Sequence, residues 1–391
     1  LLHLQRPEVS VLPEAFFWLH QGFAVTMINR GSRSVSESVT LIKSNCNNYP
    51  SIKENLESKW FDAVIDFLCY TPKQLADSFT FYSKYTNQYF FISSCAVYNT
   101  ELGGIFEEDS PKVLNQWQYS IDKWECEQTL TKLRKKSSCD YTIVRPCITY
   151  GDTRIPYGIS PQYGCHWTLI SRILANKPII TWNDGNNRAN MLRVEDFAVG
   201  VVGLIGNSKA INEAFNICAD DAPSYKEVLD VISEYLGQEV KTIDVSPNFY
   251  AEYYPSKKGE ILAGRAIDTL NSNKKIKYVV PAFKQTISIK EGIIKTLKAY
   301  EGHNYLRGID WQFDACTDRI IKKWCEKNHL ETKSYNLRFV DYLGNATKID
   351  RLTYWIEYHS DNVFIFIYMS IKKILGKIRR NCIQTVNNIG H

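Results

Sequence analysis

Short β-branched and aromatic runs alternate with one-sided helical patterns through the first part of the chain. Phe23 to Ile28 reads as a buried strand closed by Asn29-Arg30-Gly31, and Phe61 to Asp66 as the next strand. Ser51 to Ser58 carries a helical pattern between them. Pro72 to Tyr85 fits a helix opened by proline, whose missing N–H costs nothing in a first turn. Gln88 to Ser93 reads as strand, Ser120 to Lys136 has the charge pattern of an exposed helix, and Tyr141 to Arg145 is one more strand, ended by Pro146. This alternation predicts an α/β architecture, a Rossmann-like doubly wound parallel sheet with crossover helices. After Gly151 the pattern loosens. Trp167 to Ala175, Val194 to Ile205 and Tyr225 to Leu236 read as helices, Ile179 to Trp182 as a strand and Asp184 to Asn187 as a turn.

A chain of 391 residues exceeds what one hydrophobic core usually supports. The expected division is a Rossmann-like domain over residues 1–165, a substrate-binding lobe interleaved with returning strands over 166–325, and a C-terminal extension over 326–391. The extension carries the apolar run Val363 to Met369, then Lys372, Lys373, Lys377, Arg379 and Arg380. That run falls short of the ~18 apolar residues that span a bilayer, and a buried strand or helix is expected there rather than an interfacial anchor.

A net charge of +5 without a dense Lys/Arg stripe before the C-terminus argues against nucleic acid as a partner. The eleven cysteines are scattered and none forms a Cys-x-x-Cys pair, so neither a metal site nor a disulfide framework is expected. Their use as small hydrophobes suits a reducing, cytoplasmic setting, and no signal segment is evident. His166 has no second ligand at metal spacing and reads as a packing or surface histidine.

The candidate chemistry sits between two strands. Ser94 follows the strand Tyr89 to Ser93, Tyr119 and Lys123 open the next helix, and Val144-Arg145-Pro146 follows after another strand. Tyr and Lys four apart share one helix face. An ammonium beside the phenol is expected to pull its pKa below the free value of about 10. A base so poised accepts a hydroxyl proton while the same carbon is oxidised by a nicotinamide. Ser94, at a strand's C-terminal edge, is placed to hold the substrate oxygen.

These motifs resemble the extended short-chain dehydrogenase/reductase family, the NAD-dependent epimerase/dehydratase group that acts on nucleotide sugars, over roughly residues 15 to 320. The resemblance implies Ser94, Tyr119 and Lys123 as catalytic residues, NAD or NADP as cofactor, a nucleotide sugar as substrate, and a homodimer built through the helix bearing Tyr and Lys. It implies cofactor contacts at Asn29, Arg30, Arg33, Asn45, Phe67, Leu68, Tyr119, Lys123 and Pro146. It implies substrate contacts at Ser94 and, around Asp184 to Asp196, at Arg188 or Arg193. Dehydratases of the family follow the serine with Asp-Glu and decarboxylases keep a Glu there. Cys95 and Ala96 stand at those positions, which leaves an epimerase or a simple oxidoreductase. The chain departs from the pattern at its start: Leu1 to His20 contains no glycine, where the family has a strand and a glycine-rich turn for the pyrophosphate. A missing first strand is expected, and with it weakened or lost cofactor binding. The competing expectation is a non-catalytic nucleotide- or RNA-binding protein on the same fold, since Val64-Ile-Asp66 and Asn29-Arg-Gly31 resemble the chloroplast stem-loop RNA-binding branch.

Overall fold

A computed structural model describes residues 2–4, 22–31, 37–112 and 117–361. The first half comprises β1 (Leu2–Leu4), β2 (Val25–Asn29), β3 (Val39–Lys43), helix α1 (Tyr49–Leu56), β4 (Val64–Asp66), α2 (Pro72–Tyr82), β5 (Gln88–Ile92), the short β6 (Ile105–Phe106), α3 (Gln118–Arg134) and β7 (Asp140–Pro146). There follow β8 (Ile148–Tyr150), α4 (Trp167–Leu174), β9 (Ile179–Thr181), β10 (Met191–Arg193), α5 (Val194–Leu204) and β11 (Glu213–Ile217). The remainder is α6 (Tyr225–Leu236), β12 (Thr242–Asp244), α7 (Pro247–Tyr253), β13 (Leu270–Asn271), α8 (Lys274–Val279), α9 (Ile289–Gly302), α10 (Trp311–Lys327) and α11 (Lys348–Tyr358).

Seven strands form one parallel sheet in the order β11-β7-β5-β4-β1-β2-β3. Sequence order reverses between β1 and β4, and such a switch point opens a crevice above the strands' C-terminal ends. The sheet is covered on both faces, so its strands are near-continuous apolar runs. Successive residues alternate sides. Tyr89 and Phe91 join the core under α1, α2 and α3, with Ile52, Leu56, Leu75, Phe79 and Leu130. Phe90 and Ile92 join the opposite core, with Phe197, Val201 and Leu204 of α5. Thr71 caps α2, its side chain accepting from the Gln74 N–H at 3.4 Å with Pro72 next to it.

The expected gap at the centre of the sheet is corrected by the structure. Leu2, His3 and Leu4 pair with Thr26, Met27 and Ile28 on one side and with Val64, Ile65 and Asp66 on the other. Three residues are too few to display a period, which is why the strand escaped a pattern-based reading. β3 was likewise not expected.

The second half builds the lobe beside this sheet from three small parallel pairings: β8 with β10, β9 with β12, and β6 with β13. The last ties the segment after Ser94 to the lobe. The boundary expected at residue 325 does not exist as a break, because α10 runs through it and α11 packs back on α10. A buried ionic cluster fastens that corner. The Arg172 guanidinium reaches Asp314 at 2.6 Å and Asp318 at 2.8 Å, Lys177 Nζ reaches Asp314 at 3.1 Å, and both lysine and arginine are almost fully buried. The phenols of Tyr342 and Tyr354 donate to the same two carboxylates at 2.7 and 2.6 Å. Two cations face two anions, and the phenols occupy further lone pairs, so the charges are both paired and hydrogen-bonded. Residues 326–361 therefore belong to the folded body, whereas the run Val363 to Met369 and the basic residues after it lie outside the described residues.

Candidate active site

Strand β5 delivers Ser93 and Ser94 to the sheet's upper rim. Beneath them lies a buried polar network. Ser93 Oγ donates to Glu127 Oε1 at 2.6 Å, and Arg145 binds both oxygens of Glu127, Nε to Oε1 at 3.0 Å and Nη2 to Oε2 at 2.6 Å. Arg145 Nη1 also donates to the Tyr98 hydroxyl at 2.8 Å, and that hydroxyl in turn donates to Asn216 Oδ1 at 2.6 Å. The fork of a guanidinium matches a carboxylate edge, so this bidentate pair locks α3 to the ends of β5 and β7. Ser94 itself opens a single 3-10 turn, Cys95–Val97, and its Oγ accepts from the Ala96 N–H at 3.1 Å.

Tyr119 and Lys123 stand one turn apart on α3. The Tyr119 phenol lies near the Ser94 side chain on one cavity wall, so two of the three expected residues come together. Its acidity is not what the sequence suggested. Burial pushes the phenol up to about 12, and the pull in the other direction comes from the Ser94 hydroxyl and from Arg154 and Arg265. Lys123 is buried and donates to the backbone carbonyls of Cys69 at 2.7 Å and Ile92 at 2.8 Å, with Tyr70 and Phe91 rings at 4.8 Å. Burial lowers its pKa below the usual lysine value. The expected lysine-driven acidification gives way to a phenol raised by desolvation and moderated by arginines.

Ser94, Tyr119 and Pro146 line a cavity of about 350 Å³ together with Arg154, Glu260 and Arg265. The two arginines were not foreseen. Arg154 donates to the Thr149 carbonyl at 3.1 Å, and burial followed by repulsion from Arg265 lowers its pKa. Arg265, from the π-turn Ile261–Arg265, lies 3.3 Å from Glu260. Burial works against the Glu260 charge, but Arg265 and Lys257 outweigh it and hold the carboxyl below its usual range. One carboxylate thus faces three cations, and the cavity keeps an excess of positive charge that an anion would relieve.

The remaining expected residues are dispersed. Arg193 is buried away from this cavity, its guanidinium held by Asp152 and Glu195 at 2.8 Å each and donating to Thr296 at 3.1 Å. Arg188 is exposed, donating through Nε to the Ala222 carbonyl at 2.8 Å. At the second strand's end, Asn29 Oδ1 accepts from the Gly31 N–H at 2.7 Å. Gly31 has φ +71° and lies against the Lys43 side chain, a place where a side chain would be strained. Arg30 is exposed beside that turn and Asn45 is exposed after β3, while Arg33 lies outside the described residues. Phe67 and Leu68 follow β4, where Asp66 Oδ1 accepts from the Leu68 N–H at 2.7 Å and Asp66 Oδ2 accepts from Tyr89 at 2.7 Å. Asp66 therefore shapes the turn above β4. His166 is a packing residue, 3% exposed, its Nδ1 accepting from the Ile155 N–H at 3.4 Å. Among the described residues no group of three or more His, Cys, Asp or Glu could hold a metal ion, and no helix is long and apolar enough to cross a membrane.

The reversed strand order, the crevice above it and the Ser94, Tyr119 and Lys123 positions together define an extended short-chain dehydrogenase/reductase fold. The model of the NAD dependent epimerase/dehydratase family matches residues 17–218, and the chain belongs to that family. Among curated proteins it is similar to the chloroplast stem-loop binding protein of 41 kDa b from Arabidopsis thaliana, with 25% identity over 218 residues, 51% of this chain and 53% of that protein. It is also similar to the uncharacterized UDP-glucose epimerase YtcB of Bacillus subtilis, with 24% identity covering 38% of this chain and 45% of the other. The chain thus spans about half the length of the curated relatives it matches. Its fold is that of the epimerase Mth375 from Methanothermobacter thermautotrophicus, at a TM-score of 0.63 and 15% identity over 78% of this chain and 94% of that one. The UDP-glucose 4-epimerase of Thermotoga maritima, solved with UDP-glucose, gives a TM-score of 0.60 at 15% identity over 77% and 99%.

Proposed function

We propose that this protein oxidises and re-reduces a hydroxyl-bearing carbon of a nucleotide sugar, as an epimerase or an oxidoreductase, with Tyr119 as the proton-transferring residue. The observation that carries this reading is that Ser94 and Tyr119 line one cavity in which Arg154 and Arg265 outnumber Glu260. The diphosphate of a nucleotide sugar is the anion that cavity suits, so the anchoring role expected of Arg188 or Arg193 passes to Arg154 and Arg265.

The donor set fits a nicotinamide dinucleotide at its reactive end, since Ser94, Tyr119 and Pro146 share one wall and Lys123 lies one turn below. When bound, the nicotinamide supplies the two-electron acceptor at the sugar carbon. Ser94 orients the substrate hydroxyl, and Tyr119 removes its proton and later returns it. Arg154 and Arg265 favour the phenolate that must stand ready before this step, and accepting the substrate proton turns it into the phenol. Glu260 is held ionised by its arginine and lysine neighbours, and Cys95 donates its proton to the Arg145 carbonyl at 3.2 Å. Neither can protonate a leaving hydroxyl, which disfavours dehydration. At the other end of the cofactor, Asn29-Arg30-Gly31 offers no carboxylate for ribose hydroxyls, and the guanidinium suits a 2′-phosphate, so NADP is served as well as NAD.

The test is incubation of the full chain with NAD⁺ or NADP⁺ and a panel of UDP- and dTDP-hexoses, followed by NMR of the sugar. Epimer or keto-sugar formation that disappears in Tyr119→Phe, with dinucleotide binding retained, is the expected result. Turnover undiminished in Tyr119→Phe would overturn the assignment. A second reading, a non-catalytic binding protein, is favoured by the glycine-free Leu1 to His20 segment. Failure of either dinucleotide to bind at millimolar concentration would select it.

A further inference from the structure

Helix α3 starts on an unusual residue. Helices open preferentially on Ser, Thr, Asn or Asp, whose side chains accept from the first free N–H groups. α3 opens on Trp117, which makes no such bond. A local rule broken without local gain marks a side chain that serves something else. The indole is half-buried, its ring centroid 5.0 Å from that of Tyr119. On its other side is the chain that carries Glu260 and Arg265. A Cβ added at Gly259 would stand 2.7 Å from Trp117 Cδ1 and 3.0 Å from its Cα, and one at Gly264 would stand 3.6 Å from Cζ3. Those glycines let the backbone lie against the indole from its pyrrole edge to its benzene edge.

Trp117 thus touches the Tyr119 ring on one side and the glycine next to Arg265 on the other, and it lines the cavity itself. On the proposed chemistry the reacting carbon lies at Tyr119 and the diphosphate at Arg265. These two are joined through the sugar ring, so the sugar has to cross the indole. The nucleoside lies beyond the diphosphate. A pyranose suits such a wall, because its hydroxyls leave the ring edge and its faces present C–H bonds to the electron-rich aromatic face. The hydroxyls need partners of their own. Asn271, 9% exposed, lines the same cavity, and its Oδ1 has no hydrogen-bond partner among the described residues. A buried acceptor in that state calls for a donor. A sugar hydroxyl supplies one and an ionised phosphate does not.

We infer that Trp117 is the sugar platform of this site: its indole face carries the pyranose ring while Asn271 Oδ1 accepts from a ring hydroxyl. The inference rests on the proposed chemistry and adds to it the residue that tells a nucleotide sugar from the bare nucleoside diphosphate. Arg154 and Arg265 hold the phosphates of both ligands alike. Stacking on Trp117 is open only to the ligand that carries a hexose. Gly259 belongs to the same device, since a side chain there displaces the indole.

The test is calorimetric titration of the full chain with UDP, dTDP, UDP-glucose and dTDP-glucose, for the native chain, Trp117→Ala, Trp117→Phe and Gly259→Ala. The native chain should bind a glucose-bearing nucleotide more tightly than the matching diphosphate. Trp117→Ala should weaken that sugar nucleotide about tenfold and the diphosphate less than about twofold. Trp117→Phe keeps an aromatic face and should recover most of the loss. Gly259→Ala, which retains the indole but moves it, should weaken the sugar nucleotide in the same selective way. Equal weakening of diphosphate and sugar nucleotide in Trp117→Ala and Gly259→Ala, or no weakening of either, would overturn the inference and leave the proposed function standing. A native chain that binds none of the four ligands would overturn both.

Discussion

The buried His166 makes this fold sensitive to mild acid in a way that can be calculated. Its imidazole is 3% exposed. Burial first, and then the neighbouring Arg154 guanidinium, lowers its pKa from 6.5 to about 3. Its Nδ1 accepts from the Ile155 N–H at 3.4 Å, and a proton there would set two donors face to face. The sign follows from linkage. With the folded pKa depressed, the unfolded chain binds a proton first, so the contribution is fully present above pH 6.5 and is lost as pH falls toward 3. Between pH 7.5 and 5.0 the unfolded histidine charges almost completely while the folded one stays neutral, which costs about 2 kcal/mol. Urea unfolding at those two pH values, for the native chain and for His166→Gln, isolates this contribution, because the other histidines are common to both. The native chain should lose about 2 kcal/mol more than the variant over that interval. An equal loss in both would show that His166 is not held neutral by burial and Arg154, and would undo the reasoning.

Three further outcomes are expected. Arg154→Met and Arg265→Met should each weaken binding of uridine diphosphate about tenfold or more in calorimetric titration, whereas Arg188→Met should change it little. Glu127→Gln leaves the Arg145 guanidinium buried without its counter-ion, both side chains being under 5% exposed, and should cost about 3 kcal/mol in urea unfolding. Asp318→Ala leaves Lys177 and Arg172 sharing one carboxylate and removes the acceptor of Tyr354. It should cost about 3 kcal/mol or more, measured in the same way.

The sequence by itself determined the local elements and where the candidate residues stand on them. β5, α2, α3, β7 and α6 fall within a few residues of where their periodicity placed them, because apolar spacing reports directly on which face of an element is buried. The positions of Ser94 at a strand end and of Tyr119 and Lys123 on one helix were legible for the same reason, since such elements carry side chains at fixed spacings. What depended on distant residues meeting was decided only by the tertiary structure. Arg154 and Arg265 lie on an irregular loop and a π-turn far apart in the chain, and no local period could announce that they share a cavity. Arg193, which looked available, is consumed by Asp152 and Glu195. β1 shows no pattern of its own, yet two neighbouring strands give it partners on both sides. The acidity of Tyr119 reversed direction as well. Spacing can bring a lysine near a phenol, but the number of atoms packed around that phenol sets its desolvation, and only the folded chain fixes it.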